Sequence, residues 1–426
     1  MSRMLCLILA SVGFISAIVP CLAQDSAVTA IRCGRLINPS DGRSVEGAVV
    51  LVQGERIKEV GANLPVPAGA PVIDLRNYTV LPGLIDCHTH ILLQPEDERV
   101  APILYKSQAF RTVQGVAAAR KDLEAGFTTM RDLDSEGAGF ADVAIRDAIN
   151  KSIIPGPRLF VSTYALTITA GHMNNTGLNP DILIPDPASI TDSREAMIQE
   201  VRRQIKYGAD WIKIYATGTL RHINPATLEP LPQLSLEDVQ AIVKEAARWR
   251  KDVAAHAYGG EGAKNAILGG ARSIEHGMLL SEEELRLMVE RGTYWCPTLS
   301  VYFPDNPADN TELRRRIIAN HRQVFQRAMG MGVRIAFGTD VGAFEHGTSA
   351  REFSLMVEYG MSPLEAIRSA TVRAAELLRM EKEIGAVERG KFADLIAVEG
   401  DPLTQIKALE KVRFVMKSGQ VYKSPN

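Results

Sequence analysis

The sequence predicts an α/β fold: a (β/α)8 TIM barrel carrying a small β-sandwich domain built from both chain ends. Three observations predict it. Through residues 83–383, short apolar runs alternate with amphipathic stretches, the pattern of parallel strands each followed by a covering helix. Both ends, residues 24–82 and 384–426, are instead short β-branched runs broken by turn residues. Polar side chains of metal-binding type end the apolar runs of the middle, the face on which barrels of this kind keep their chemistry. An open doubly wound sheet is the alternative, but no Gly-rich dinucleotide fingerprint follows the first run.

The chain opens with a basic Arg3, an apolar run from Leu5 to Val19 and small residues ending at Ala23. Residues 1–23 therefore read as a secretory signal peptide cleaved after Ala23, too short a run for a membrane span. The expected location is outside the cytoplasm, periplasmic or secreted, with no membrane contact once the leader is removed. Cleavage takes Cys6 and Cys21 and leaves Cys33, Cys87 and Cys296, too few for a disulfide framework and expected as buried thiols. The 426 residues are 46% hydrophobic and 23% charged, with a net charge of −2 and no block of like charge. That balance offers nothing to nucleic acid or to an anionic membrane.

From Thr29 to Val80 the turn signals "SDG", "QGE" and "VGA" separate strand-like runs. The end from Ile384 to Tyr422 repeats that style, so each end can cover the other's apolar face. In the middle the strands read as "GLIDCHTH", "TTMRDL", "RLFVS", "ADWIKIYA", "DVAAHAY", "RSIEHG", "TYWCPTL" and "RIAFGTD". Helices are expected over Val113–Ala125, Arg194–Tyr207, Leu236–Arg250, Glu282–Arg291 and Ser362–Leu378. The last has Ser362 as N-cap, Pro363 at its first position and Glu365 at the capping-box position. Two long connections, Ser162–Thr191 and Thr217–Ser235, follow the third and fourth strands; loops of that length are usually functional or disordered, and both lie on the face where barrel enzymes keep their chemistry.

His88 and His90 stand at i and i+2 on the first strand, so both imidazoles project to one side. Lys213 lies inside the fourth strand, where an unpaired ammonium would be costly to bury. His256, His276 and Asp340 end the fifth, sixth and eighth strands. Any one of these alone is an ordinary strand-end residue, and Asp340 alone an ordinary helix cap. Together they place four of the chain's eight histidines at strand ends, which chance does not account for.

"PGLIDCHTH", Lys213, His256, His276 and "GTD" in this order resemble the metal-dependent amidohydrolase superfamily, over nearly the whole mature chain. That resemblance implies two divalent metal ions, usually Zn2+. His88, His90 and Asp340 would hold the more buried ion, and His256 and His276 the more exposed one. Lys213, carboxylated by CO2, would bridge both. Asp340 would take the proton of the attacking water and deliver it to the leaving amine, and the reaction implied is hydrolysis of an amide.

"TITAGHMN", "KIYATG" and "AAHAYG" are similar to the branch of Xaa-Pro and Xaa-Arg/Lys carboxypeptidase-like dipeptidases and of exported amidohydrolases that cleave ochratoxin. The substrate implied is a small N-acyl amino acid with a free terminal carboxylate. His172 would stabilise the oxyanion. Tyr215, with Arg221 or His222, would hold the carboxylate, which a guanidinium binds through two parallel hydrogen bonds. "ATGTLRH" replaces the "ATGG" run usual in the branch, which leaves the shape of that loop open. His321, in a charged helical stretch, and His346, after Asp340, receive no role. Relatives in the branch imply a homo-oligomer, up to an octamer. Two other functions fit parts of the pattern: a cyclic-amide hydrolase of the imidazolonepropionase type, and a non-catalytic exported metal-binding protein.

Overall fold

The computed structural model describes residues 27–99, 102–177, 179, 181–303 and 311–425. The leader expected at residues 1–23 lies outside the described residues. No described helix is long and apolar enough to cross a membrane.

Eight parallel strands appear where the apolar runs are: β1 (Leu84–Thr89), β2 (Phe127–Asp132), β3 (Arg158–Val161), β4 (Trp211–Tyr215), β5 (Asp252–Ala257), β6 (Ser273–His276), β7 (Tyr294–Cys296) and β8 (Arg334–Ile335). β1, β2 and β4 are buried along their whole length, which is why they read as continuous apolar runs. β1, β2 and β3 form one parallel sheet; β4 to β8 pair in sequence order in a second. Backbone hydrogen bonds join the two sheets at both seams. Asp210 N donates to Val161 O at 2.7 Å, and Cys87 N donates to Phe337 O at 2.9 Å. Past β8 the chain stays beside β1: Asp340 N donates to His88 O and His90 N to Val341 O, both at 2.8 Å.

Helices follow the strands, and several are capped by their own sequence. Ser235 and Ser281 each accept from the backbone N–H three residues on, and Asp238 and Glu284 close capping boxes back onto them. The helix read over Ser362–Leu378 is two helices, Pro363–Ser369 and Val372–Leu377. The break follows from local chemistry: Ser369 Oγ donates to Ala366 O at 2.7 Å and Thr371 Oγ1 to Ile367 O at 2.6 Å, a side-chain competition that bends or ends helices. Ser362 caps the first as expected, but Glu365 turns to Arg368 and Arg373 instead of closing a capping box.

Both chain ends enter one hydrogen-bonded sheet. Strand Val72–Pro82 lies in its middle, parallel to Val28–Asn38 on one side and antiparallel to Leu395–Val398 on the other. Beyond these, Ala48–Gln53 and Arg56–Ala62 extend the first side, Val412–Lys417 and Gln420–Lys423 the second. Ile31, Val50 and Leu75 pack with Val387, Leu395 and Phe414 in one apolar cluster, so neither end buries its own face alone. Cys33, Cys87 and Cys296 are buried free thiols.

Candidate active site

The C-terminal ends of the strands bring the polar residues together. Asp340 Oδ1 lies 3.3 Å from His88 Nε2 and 3.0 Å from His90 Nε2, and its Oδ2 lies 4.0 Å from His276 Nδ1. Ring centroids step from His90 to His88 (5.3 Å), His276 (4.9 Å), His256 (4.7 Å) and His172 (4.3 Å). Lys213 is buried in the same ring of strands, 1% exposed. Two members sit in the left-handed region, His276 at φ 71° and Asp340 at φ 67°. Such strain costs roughly 1–3 kcal/mol per residue and persists only where the surroundings fix it. Here the β1–β8 seam fixes Asp340. Gly342, at φ +116°, lets the chain pass so close to β1 that a Cβ would stand 2.4 Å from His90 O.

A second set of buried groups orients the first. His88 Nδ1 donates to Glu275 Oε2 at 2.9 Å. Glu275 Oε1 in turn accepts from Arg131 Nη2 at 2.9 Å, and both side chains are 0% exposed. Arg131 is further held by Cys87 O (2.6 Å) and Ser273 Oγ (3.0 Å). With its proton fixed on Nδ1, His88 turns an Nε2 lone pair to the site, and that atom has no hydrogen-bond partner. His276 Nδ1 is 2.9 Å from Thr298 Oγ1, and His90 Nδ1 is 3.2 Å from Glu136 Oε1. Burial, with the cation of Lys213 for His88, pushes the imidazoles of His88, His256 and His276 well below their ordinary range. Burial also lowers Lys213, which finds no hydrogen-bond or ion-pair partner among the described residues. Burial alone would raise Asp340, but His88 and His90 beside it hold the carboxyl well below the usual range.

This donor set suits divalent cations. His88, His90 and Asp340 each bring one ligand atom within 4.8 Å of the others, and imidazole with carboxylate is a common ligand combination. Buried polar atoms without partners are rare because they are costly; His88 Nε2 is one, and its lone pair is what a cation would take up.

A cavity of about 590 Å³ opens over these residues. His172 lines it, its ring 4.1 Å from Tyr215, its Nδ1 unpartnered and its pKa pushed down to about 3 by burial. Tyr215 also lines it, but its hydroxyl donates to Asp134 Oδ2 at 2.8 Å. What Tyr215 offers the cavity is therefore its ring. Arg221 reaches the wall. His222 does not: its Nδ1 accepts from Thr219 N at 3.1 Å and closes a single turn over residues 220–222. The loop left open by "ATGTLRH" is a small hairpin, with bridges Thr217–Pro232 and Ile223–Pro230.

Of the two histidines given no role, His321 differs from its reading as part of a solvated helix face and His346 does not. His321 is not solvated: it is 1% exposed, against Trp295 and Tyr302. Ile317, Val324 and Phe325 are buried at helical spacing from it, so it lies on the apolar face of a helix whose other faces carry the charge. His346 is buried outside the cavity wall, bonded to Asp122 Oδ2 (2.8 Å) and Leu93 O (3.1 Å).

Sequence reasoning missed Arg131, Asp134, Glu136, Glu275, Tyr258, Tyr302 and Arg314. Arg131 carries the same signal as Lys213, a cation inside an apolar strand. Glu275 was hidden by strand alternation, which sends it opposite to His276. The left-handed φ of His276 breaks that alternation, and both residues face His88.

The amidohydrolase family model matches residues 79–422. An ochratoxinase from Aspergillus niger is 32% identical, over 94% of this chain and 88% of its own length. A solved Xaa-Pro dipeptidase with methionine bound in its active site superposes with a TM-score of 0.85 at 35% identity, over 93% of this chain and 100% of that one. The solved A. niger ochratoxinase superposes with a TM-score of 0.84 at 30% identity, over 94% and 97% of the two chains.

Proposed function

This chain belongs to the amidohydrolase family and is a hydrolase of carbon–nitrogen amide bonds; from that premise we propose that it releases the C-terminal amino acid from dipeptides or other N-acyl amino acids. Aromatic N-acyl amino acids of the ochratoxin type fall in the same class. The observation that carries the reading is the convergence of His88, His90, Lys213, His256, His276 and Asp340 under a cavity walled by an arginine.

His88, His90 and Asp340 would hold one divalent cation, His256 and His276 a second, both zinc. Lys213, carboxylated by CO2, would bridge them, since an anionic oxygen ligand there replaces a costly buried ammonium. Such a pair supplies Lewis acidity toward a carbonyl oxygen and a water of lowered pKa. The residues do the rest. Asp340 Oδ1 faces His88 and His90, so its Oδ2, on the His276 side, takes the proton from the attacking water and passes it to the leaving nitrogen. Water adds to the carbonyl carbon, the C–N bond breaks, and the products are a carboxylic acid and a free amino acid. His172, kept neutral by burial, donates a hydrogen bond to the oxyanion. Arg221 holds the terminal carboxylate, with the ring of Tyr215 as floor beneath His172.

The two seams between the parallel sheets support a closed (β/α)8 barrel at residues 83–383. The interleaved chain ends support a β-sandwich from residues 24–82 and 384–426. We take the protein to be exported and homo-oligomeric.

A library of dipeptides and N-acyl amino acids, assayed on protein of measured metal content for release of free amino acid, tests the reading. Cleavage of substrates with a free carboxylate, and weaker cleavage of their C-terminal amides, is expected. Equal cleavage of acids and amides, or ring opening of cyclic amides alone, overturns it.

A further inference from the structure

Two guanidiniums line the cavity, Arg221 in the loop after β4 and Arg314 in the first turn of the helix Glu312–Met331. They belong to one body. Arg316 donates to Pro225 O (2.5 Å) and Ala226 O (3.2 Å), tying that helix to the Arg221 loop. Ile223, Tyr258, Tyr302 and Ile317 pack beneath the tie. Arg314 is half-buried and fixed: its Nε donates to Tyr302 O at 3.0 Å, and among the described residues its terminal nitrogens have no hydrogen-bond or ion-pair partner.

Among the described residues nothing neutralises this pair. The cavity's own acids are committed elsewhere: Asp340 to His88 and His90, Glu136 to His90, Asp97 to Lys106 at 2.7 Å. Among the described residues no carboxylate pairs with Arg221 or Arg314. Two cations held at one mouth with no partner among the described residues repel each other, and an entering anion of matching charge relieves that repulsion. The terminal carboxylate of an N-acyl amino acid brings one negative charge, for one guanidinium.

We propose that Arg314 is a second carboxylate site, and that the preferred substrates are N-acyl amino acids bearing a further acidic group beside the terminal one. This rests on the hydrolytic reading above. The second acid can sit on the leaving amino acid or on the acyl part; the chemistry recognised is the same.

The test compares kcat/KM within two isosteric pairs. N-acetyl-L-glutamate against N-acetyl-L-glutamine places the acid on the leaving residue; N-succinyl-L-leucine against N-succinamoyl-L-leucine places it on the acyl part. In the parent enzyme the acid of at least one pair is expected to be favoured about tenfold, through KM, the scale of one charge-assisted hydrogen bond. Arg314→Gln brings that ratio close to one, and Arg314→Lys keeps part of it. Each ratio is taken within one preparation, so a partly folded variant does not distort it. Ratios near one in both pairs of the parent, or a parent preference that survives Arg314→Gln, overturn the proposal while leaving amide hydrolysis standing. If the parent cleaves none of the four, nor any neutral dipeptide, the hydrolytic reading falls and takes this inference with it.

Discussion

Glu275→Gln is the substitution on which the geometry makes its sharpest statement. The carboxylate accepts from Arg131 on one oxygen and from His88 Nδ1 on the other, each at 2.9 Å and with both neighbours at 1% exposure or less. Glutamine keeps the shape but has one acceptor. Its oxygen must serve Arg131, since two donors cannot face each other, so its NH2 turns to His88 Nδ1. That nitrogen must then accept, and the imidazole proton moves to Nε2, the atom facing Asp340. Two costs follow. Arg131 loses its buried counter-charge, worth about 3–5 kcal/mol when one partner of such a pair is removed; its bonds to Cys87 O and Ser273 Oγ argue for the lower end. His88 loses the lone pair it offers a cation, and changes of this kind cost about tenfold to a hundredfold in metal affinity. Urea unfolding reads the first cost. Competition with a chromophoric chelator, on variant shown to be folded by circular dichroism, reads the second. Unchanged cation affinity in a folded but less stable variant would refute the orienting role and leave Glu275 a purely structural partner of Arg131.

Lys213→Ala is expected to lose bound metal and activity together, with both partly restored by a short added carboxylic acid; unaltered metal content contradicts the bridging role. Asp340→Asn should lower kcat by about a hundredfold to ten-thousandfold, and product analysis with a good leaving group, which needs less proton delivery, should show a smaller loss. Glu352 is 0% exposed and its pKa is raised to about 7 by burial, although Leu299 and Ser300 N–H groups both donate to it at 2.7 Å. Between its ordinary value of 4.5 and 7 the folded chain holds a proton the unfolded chain has lost, so this group's contribution to stability falls as pH rises through that window. Urea unfolding at pH 4.5 and pH 8 should show a pH dependence reduced by about 3 kcal/mol in Glu352→Gln; an equal dependence in both proteins contradicts the assignment.

The strands were legible because a parallel strand buried on both faces leaves an uninterrupted apolar run. Lys213 and the strand-end histidines were legible because a polar residue there has few structural uses. β8 was the least regular: "RIAFGTD" reads as one strand, yet only Arg334 and Ile335 keep ladder pairing, and the rest follows β1 through single hydrogen bonds. What stayed hidden depends on conformation rather than composition. The left-handed φ of His276 brings its ring to the side of His88, on which Glu275 also stands. The side-chain bonds of Ser369 and Thr371 split a helix whose periodicity is continuous. Arg314 stands in the basic run "LRRRIIANHR", where neighbours of the same type face solvent and only the docking of the helix on the Arg221 loop selects the one that lines the cavity.

Metal content and amide hydrolysis measured on the same purified sample bear most directly on whether His88, His90, Lys213, His256, His276 and Asp340 form a working cation site. Two divalent ions per chain are expected, with hydrolysis of an N-acyl amino acid lost on thorough chelation and regained as zinc is returned. Full hydrolysis by protein stripped of metal would contradict the account.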